Sequence, residues 1–108
     1  MQAGPDLLQM NNEKYLDMVR KGEVINAYRL LVPISKSLRN SFTADCNFGN
    51  SPRREARQKR LIAKAREIAE RIDLNVYIQG DPRGCALYLV DKSEQRPGMN
   101  YTSGIAIY

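Results

Sequence analysis

Residues 51–90, SPRREARQKRLIAKAREIAERIDLNVYIQGDPRGCALYLV, change their period part-way along. Leu61, Ile62, Ala65, Ile68, Ala69 and Ile72 recur at spacings of three and four, the period of a helix with one apolar face. Ser51 offers an N-cap oxygen, and Pro52 takes the first helical position, where its missing N–H does no harm. The spacing predicts a helix over 51–72, about 33 Å long at the usual rise per residue. From Asn75 the composition turns to Val, Ile, Leu and Tyr, which predicts strands over 75–79 and 85–90. Gly80-Asp81-Pro82-Arg83-Gly84 separates them. Asp, Pro, any residue and Gly is the order that a type I turn favours, so the two strands should form a hairpin with a loop of about four or five residues.

Upstream, Asn11, Asn12 and Glu13 precede Tyr15, Leu16, Met18 and Val19. This predicts a capped short helix ending near Gly22. Ala27, Leu31, Ile34, Leu38 and Phe42 predict a second helix over 23–45. Pro33 lies inside it, removing one ladder hydrogen bond and crowding the preceding turn, so a kink or a break is expected there. Residues 47–51 read as a loop. Downstream, 91–100 is a polar connection containing Pro97 and Gly98, and 101–108 is a third strand. Helices followed by strands indicate an α+β fold, with the N-terminal helices packed on one face of a three-stranded antiparallel β-meander. Strand alternation puts Val76, Ile78, Leu87, Leu89, Ile105 and Ile107 on the helix side. Tyr77, Gln79, Ala86, Tyr88, Thr102, Gly104, Ala106 and Tyr108 then share the other face. Residues 1–10 read as a flexible leader and 11–108 as a single domain.

The chain has 108 residues and a net charge of +5. That length is enough for one core without disulfides or metal. No apolar run is long enough to span a bilayer, and the N-terminus lacks the basic start and apolar stretch of a signal peptide. Two cysteines, Cys46 and Cys85, are too few for a disulfide framework, which points to a reducing compartment, the cytoplasm. Histidine is absent. Ser-His-Asp triads, Cys-His dyads and His-containing zinc sites are therefore excluded, and neither a cofactor nor a metal is expected. Asp81, Glu67 and Glu70 are the carboxylates nearest the candidate surfaces, but they show no metal-ligand spacing. The chain does not read as an enzyme.

Three features could carry binding. The first is a basic line on the 51–72 helix: Arg53, Arg57, Arg60, Lys64 and Arg71. Residues 51–72 hold eight basic and three acidic side chains, a net +5 equal to that of the whole chain. Such a row suits phosphate or acidic partners, although charged helix faces are often merely solvated. The second is the tyrosine face of the sheet, where Tyr77, Tyr88 and Tyr108 stand among small residues, as in a base-stacking platform. Coverage by a partner subunit or by the first helix explains the same pattern, and a homodimer is compatible with it. The third is the turn Gly80, Asp81, Pro82, Arg83, Gly84, whose amides and Arg83 could hold an anion; it is equally an ordinary hairpin turn. Both thiols read as inert, because no lowered pKa can be argued from their neighbours in sequence.

Leu38 to Asn47, with its closing Cys46-Asn47 pair, the basic helix after it, the Gln79-Gly80-Asp81-Pro82-Arg83-Gly84 turn, the Leu87-Tyr88-Leu89 strand and the closing Tyr101 to Ile107 segment resemble a group of short phage and prophage proteins. The likeness covers about two-thirds of the chain, roughly residues 34–108. It implies a phage gene product acting in the bacterial host cytoplasm. Small phage proteins of this kind work by occupying a host enzyme or a defence complex, or by sequestering a nucleotide signal. The leading expectation is a non-catalytic inhibitor of a host or antiviral defence factor, acting through the basic helix and Arg83. The alternative is a nucleic-acid or nucleotide binding protein in which the arginines hold phosphates and Tyr77 or Tyr88 stacks a base.

Overall fold

The computed structural model describes residues 5–80, 84–92 and 104–108, with side chains from Met18 onward. Two helices, α1 (Pro5–Phe48) and α2 (Pro52–Glu70), precede three strands, β1 (Leu74–Ile78), β2 (Leu87–Asp91) and β3 (Ile105–Ile107). The strands form one sheet in the order β1-β2-β3, both pairs antiparallel. The helices pack on the sheet, which is the expected α+β meander.

The expected division of the N-terminal half is corrected. Gly22 and Pro33 both lie inside one continuous helix of 44 residues. A proline within a helix costs about 3 kcal/mol and a glycine about 1 kcal/mol. Against that, Ala27, Leu31, Ile34 and Leu38 are buried on both sides of Pro33. Each fully buried Leu or Ile contributes about 1.5–3 kcal/mol, so keeping the series on one continuous helix outweighs both breakers. Pro33 itself is exposed, with its ring on the solvent side. Helix α1 also starts at Pro5, inside the segment read as a leader. Met1–Gly4 lie outside the described residues.

Helices α1 and α2 form an antiparallel hairpin. Gly49 ends α1 at φ +79°, and its N–H donates to the Asp45 carbonyl at 2.9 Å. Glycine adopts that left-handed conformation without the Cβ penalty of other residues. Ser51 then caps α2: its hydroxyl accepts from the Arg54 N–H at 3.5 Å, a long bond, while its carbonyl accepts from the Glu55 N–H at 2.9 Å. At the other end of α2, Asp73 (φ 58°) turns the chain into β1. Lys92 clamps this turn, lying 3.1 Å from Asp73 and 3.2 Å from Glu70. Those two carboxylates hold its ammonium above the ordinary lysine range.

The core lies between the helix hairpin and one face of the sheet. Leu31, Leu38, Ala65, Ala69, Leu87 and Ile107 are fully buried there, with Val76 and Leu89 beside them. Val76 faces Leu89 across the ladder, and Ile78 faces Leu87. Ile105, expected on the same face, is 45% exposed at the sheet's edge. Strand β3 is tied to α1 by the buried Ser35 hydroxyl, which donates to the Ile107 carbonyl at 2.6 Å. The hairpin loop runs from Gly80 through Cys85, because the Gln79 N–H still donates to the Ala86 carbonyl. That is longer than expected. Asp81, Pro82 and Arg83 lie outside the described residues, as do 93–103.

Candidate anion-recognition face

Helix α2 sorts its side chains by angle. Arg54, Gln58, Leu61, Ala65, Ile68 and Ile72 alternate by four and three and face α1. Arg53, Arg57, Arg60 and Lys64 occupy the adjoining line and are exposed. A helix brings residues three and four apart onto one stripe, so the sequence pattern alone places these cations together. Arg53, Arg57 and Arg60 line a concavity of about 400 Å³ with Arg54. Among the described residues, Arg53, Arg57, Arg60 and Lys64 have no ion-pair or hydrogen-bond partner. The positive end of the α2 dipole adds to their field near Arg53, partly offset by Glu55 in the first turn.

Arg54 belongs to the structure rather than to this face. Its Nε donates to the Asp45 carboxylate at 2.7 Å, and its Nη2 donates to the Gly49 carbonyl. Gln58 donates to the other Asp45 oxygen and to the Ser41 hydroxyl, each at 2.8 Å. The sequence reading missed this network. Its signal was present: Arg54 and Gln58 continue the inward line of Leu61 and Ala65, and polar groups at inward positions need partners.

The rest of the expected basic line divides. Arg71 lies about 27 Å along the helix axis from Arg53, and its guanidinium is 2.9 Å from Glu67. It is not part of the same cluster. Lys59 is 3.6 Å from Glu55. Arg66 faces the sheet side, lining a separate hollow with Asn75, Val76, Tyr77 and Ile78. Arg83 lies outside the described residues, so the turn Gly80–Gly84 is not placed against the arginines.

Tyr77 and Tyr88 are direct cross-strand neighbours, their ring centroids 6.2 Å apart and their planes tilted by 45°. Ala106 stands opposite Tyr88 on the third strand. These side chains are half-buried, while Tyr108 is exposed. The face is less open than a stacking platform requires. Val90 and Ala86, which share its parity, are both buried. Gly104 packs closely on it; a Cβ there would come within 3.1 Å of Val90 Cγ1. Arg66 shares its hollow with Tyr77, whereas the concavity of Arg53, Arg57 and Arg60 is lined by α2 arginines alone.

Cys46 is exposed near the end of α1. Cys85 is buried just ahead of β2, not within it, and its thiol donates to the Leu87 carbonyl at 3.4 Å. Among the described residues, no cluster of three or more acidic, Cys or His side chains could hold a metal ion, and no helix is long and apolar enough to cross a membrane. No protein-family model matches the sequence, and no characterised protein or solved structure matches it either.

Proposed function

We propose that the chain is a small non-catalytic binding protein whose α2 face recognises an acidic surface of a host or antiviral defence protein. One observation carries this reading: Arg53, Arg57 and Arg60 converge on one hollow, and none of them is paired with a carboxylate among the described residues. Charged groups left unpaired on a rigid helix steer and orient an oppositely charged partner. The likeness to phage proteins supports a bacterial host cytoplasm as the setting, and the mixed apolar and basic surroundings of α2 favour a protein partner over a purely phosphate one.

The second reading, nucleic-acid binding, rests on the same row of cations. From Arg53 to Lys64 it runs about 16 Å along the helix. In this version phosphate contacts come from that row, and Tyr77, which shares a hollow with Arg66, is the sheet tyrosine beside α2 for stacking a base.

The test is capture of partners from bacterial lysate on the tagged protein, with and without nuclease, beside the triple variant Arg53→Glu, Arg57→Glu, Arg60→Glu. A stoichiometric protein that survives nuclease and is lost from the triple variant, with thermal stability unchanged, is the expected result. Equal capture by the variant would remove the α2 face from the function. Recovery of nucleic acid alone, weakening steeply with salt, would support the second reading.

A further inference from the structure

We infer that the groove between α1 and α2, on the side away from the sheet, is the seat for an acidic amphipathic helix of the partner protein. This rests on the protein-partner reading above and goes on to name the segment recognised.

Two adjoining concavities, about 360 and 170 Å³, share Leu30 and Ile68 and so form one channel along the helix seam. Its α1 wall is set by Asn26, Leu30, Pro33 and Ser37, at spacings of four, three and four; its α2 wall is set by Leu61, Lys64 and Ile68. The floor is apolar. Leu30 is 53% exposed within it, although its chain neighbour Leu31 is fully buried. Between Leu61 and Ile72 the channel runs about 16 Å, which is three helical turns. That length suits anchors at i, i+3 or i+4, and i+7, the spacing of groove-bound amphipathic helices.

The rim supplies the sign. Arg29 and Lys64 stand on opposite walls, and neither has a partner among the described residues. Arg57 and Arg60 continue the α2 side. The acidic groups nearby are already engaged: Glu23 lies 3.6 Å from Arg20, and Glu67 lies 2.9 Å from Arg71. An apolar floor between cationic rims fits a helix with an apolar stripe and acidic flanks. Pro33 adds one polar feature, because it has no N–H to donate to the Arg29 carbonyl, which leaves that acceptor without its usual helical donor. A phosphate backbone would gain nothing from the leucines. A second copy of the chain is the competing occupant, and the oligomeric state separates it from a partner helix.

The test uses three synthetic peptides of about four turns and fluorescence anisotropy with the full chain. One carries Leu at i, i+3 and i+7 with Glu flanks; one is its scrambled sequence; one has Lys flanks. The Glu-flanked helix should bind at least about tenfold tighter than the other two, the size of effect expected for a buried anchor. Leu30→Glu and Lys64→Glu should each weaken it by about tenfold, with helix content and Tm unchanged. Equal binding of the ordered and scrambled acidic peptides, insensitive to Leu30→Glu, would overturn the groove while leaving the basic face intact. Failure of both acidic peptides would remove the groove and the acidic-partner reading together. A concentration-dependent dimer that Leu30→Glu abolishes would assign the groove to a second copy and overturn the inference.

Discussion

The Asp45 carboxylate is gripped by two side chains of α2: Arg54 Nε lies 2.7 Å from one oxygen, and Gln58 Nε2 lies 2.8 Å from the other. This clamp ties the two helices together at the loop end of the hairpin, one turn before Gly49. The Arg54 hydrogen bond first, and then that of Gln58, hold the Asp45 carboxyl below the usual carboxylate range. A group with a folded pKa below its unfolded value, near 3.9 for Asp, stabilises fully above that value. The contribution disappears as pH falls through the folded value. The thermal midpoint should therefore drop as pH is lowered below about 4. Asp45→Asn should show a smaller drop over the same range. Thermal scans of both proteins between neutral and strongly acid pH check this; parallel curves would remove Asp45 from the acid response.

Ser35 holds β3 to α1 through a buried bond to the Ile107 carbonyl. Ser35→Ala leaves that carbonyl without its partner in a dry site, at a cost of about 1–3 kcal/mol. Urea denaturation should show the loss as a lower midpoint with an unchanged slope.

Leu38 is fully buried where α1 meets the rest of the core. Leu38→Ala should destabilise by about 2–5 kcal/mol, the range for a leucine cavity. The same substitution at Leu30, half-exposed in the groove, should cost well under half as much. The two variants measured side by side in denaturant report whether the exposed leucine serves folding.

Pro33 is exposed, and its helix continues past it. Pro33→Ala restores a donor to the Arg29 carbonyl and should stabilise by about 1–3 kcal/mol. Calorimetry should place its Tm above that of the parent.

Gly49→Ala forces a Cβ into the left-handed region at φ +79°, although the space around it is open. The expected loss is about 1–2 kcal/mol, from the backbone alone. An unchanged Tm would mean that the hairpin turn relaxes to a different conformation.

The parts of the fold that depend on one element at a time were legible in the sequence. The α2 span, its Ser51–Pro52 start and the three strands each announce themselves by local spacing and caps. The face assignment of Val76, Leu87, Leu89 and Ile107 followed from alternation alone. The break in α1 was misread because Gly22 and Pro33 are local breakers, whereas the reward for continuing past them is tertiary: Ala27, Leu31, Ile34 and Leu38 are buried together in one core. The basic line was visible, but which of its members pair was not. Arg54 is engaged by a residue nine positions upstream and Arg71 by one four positions upstream, while Arg53, Arg57 and Arg60 are not. The groove was invisible, because its walls come from two helices whose antiparallel register no single-helix pattern contains.

Helix α1, at about 66 Å, accounts for nearly all of the molecule's longest dimension, 71 Å against 26 and 20 Å for the others. Among the residues whose side chains are described, the buried ones of α1 begin at Ala27. The radius of gyration is 17.9 Å, where a compact chain of this length would have about 13 Å. Drag in solution is therefore that of a rod with a head, and a single chain will migrate through a sieving column like a larger globule. Light scattering, which weighs particles rather than timing them, separates that elongated monomer from a true dimer.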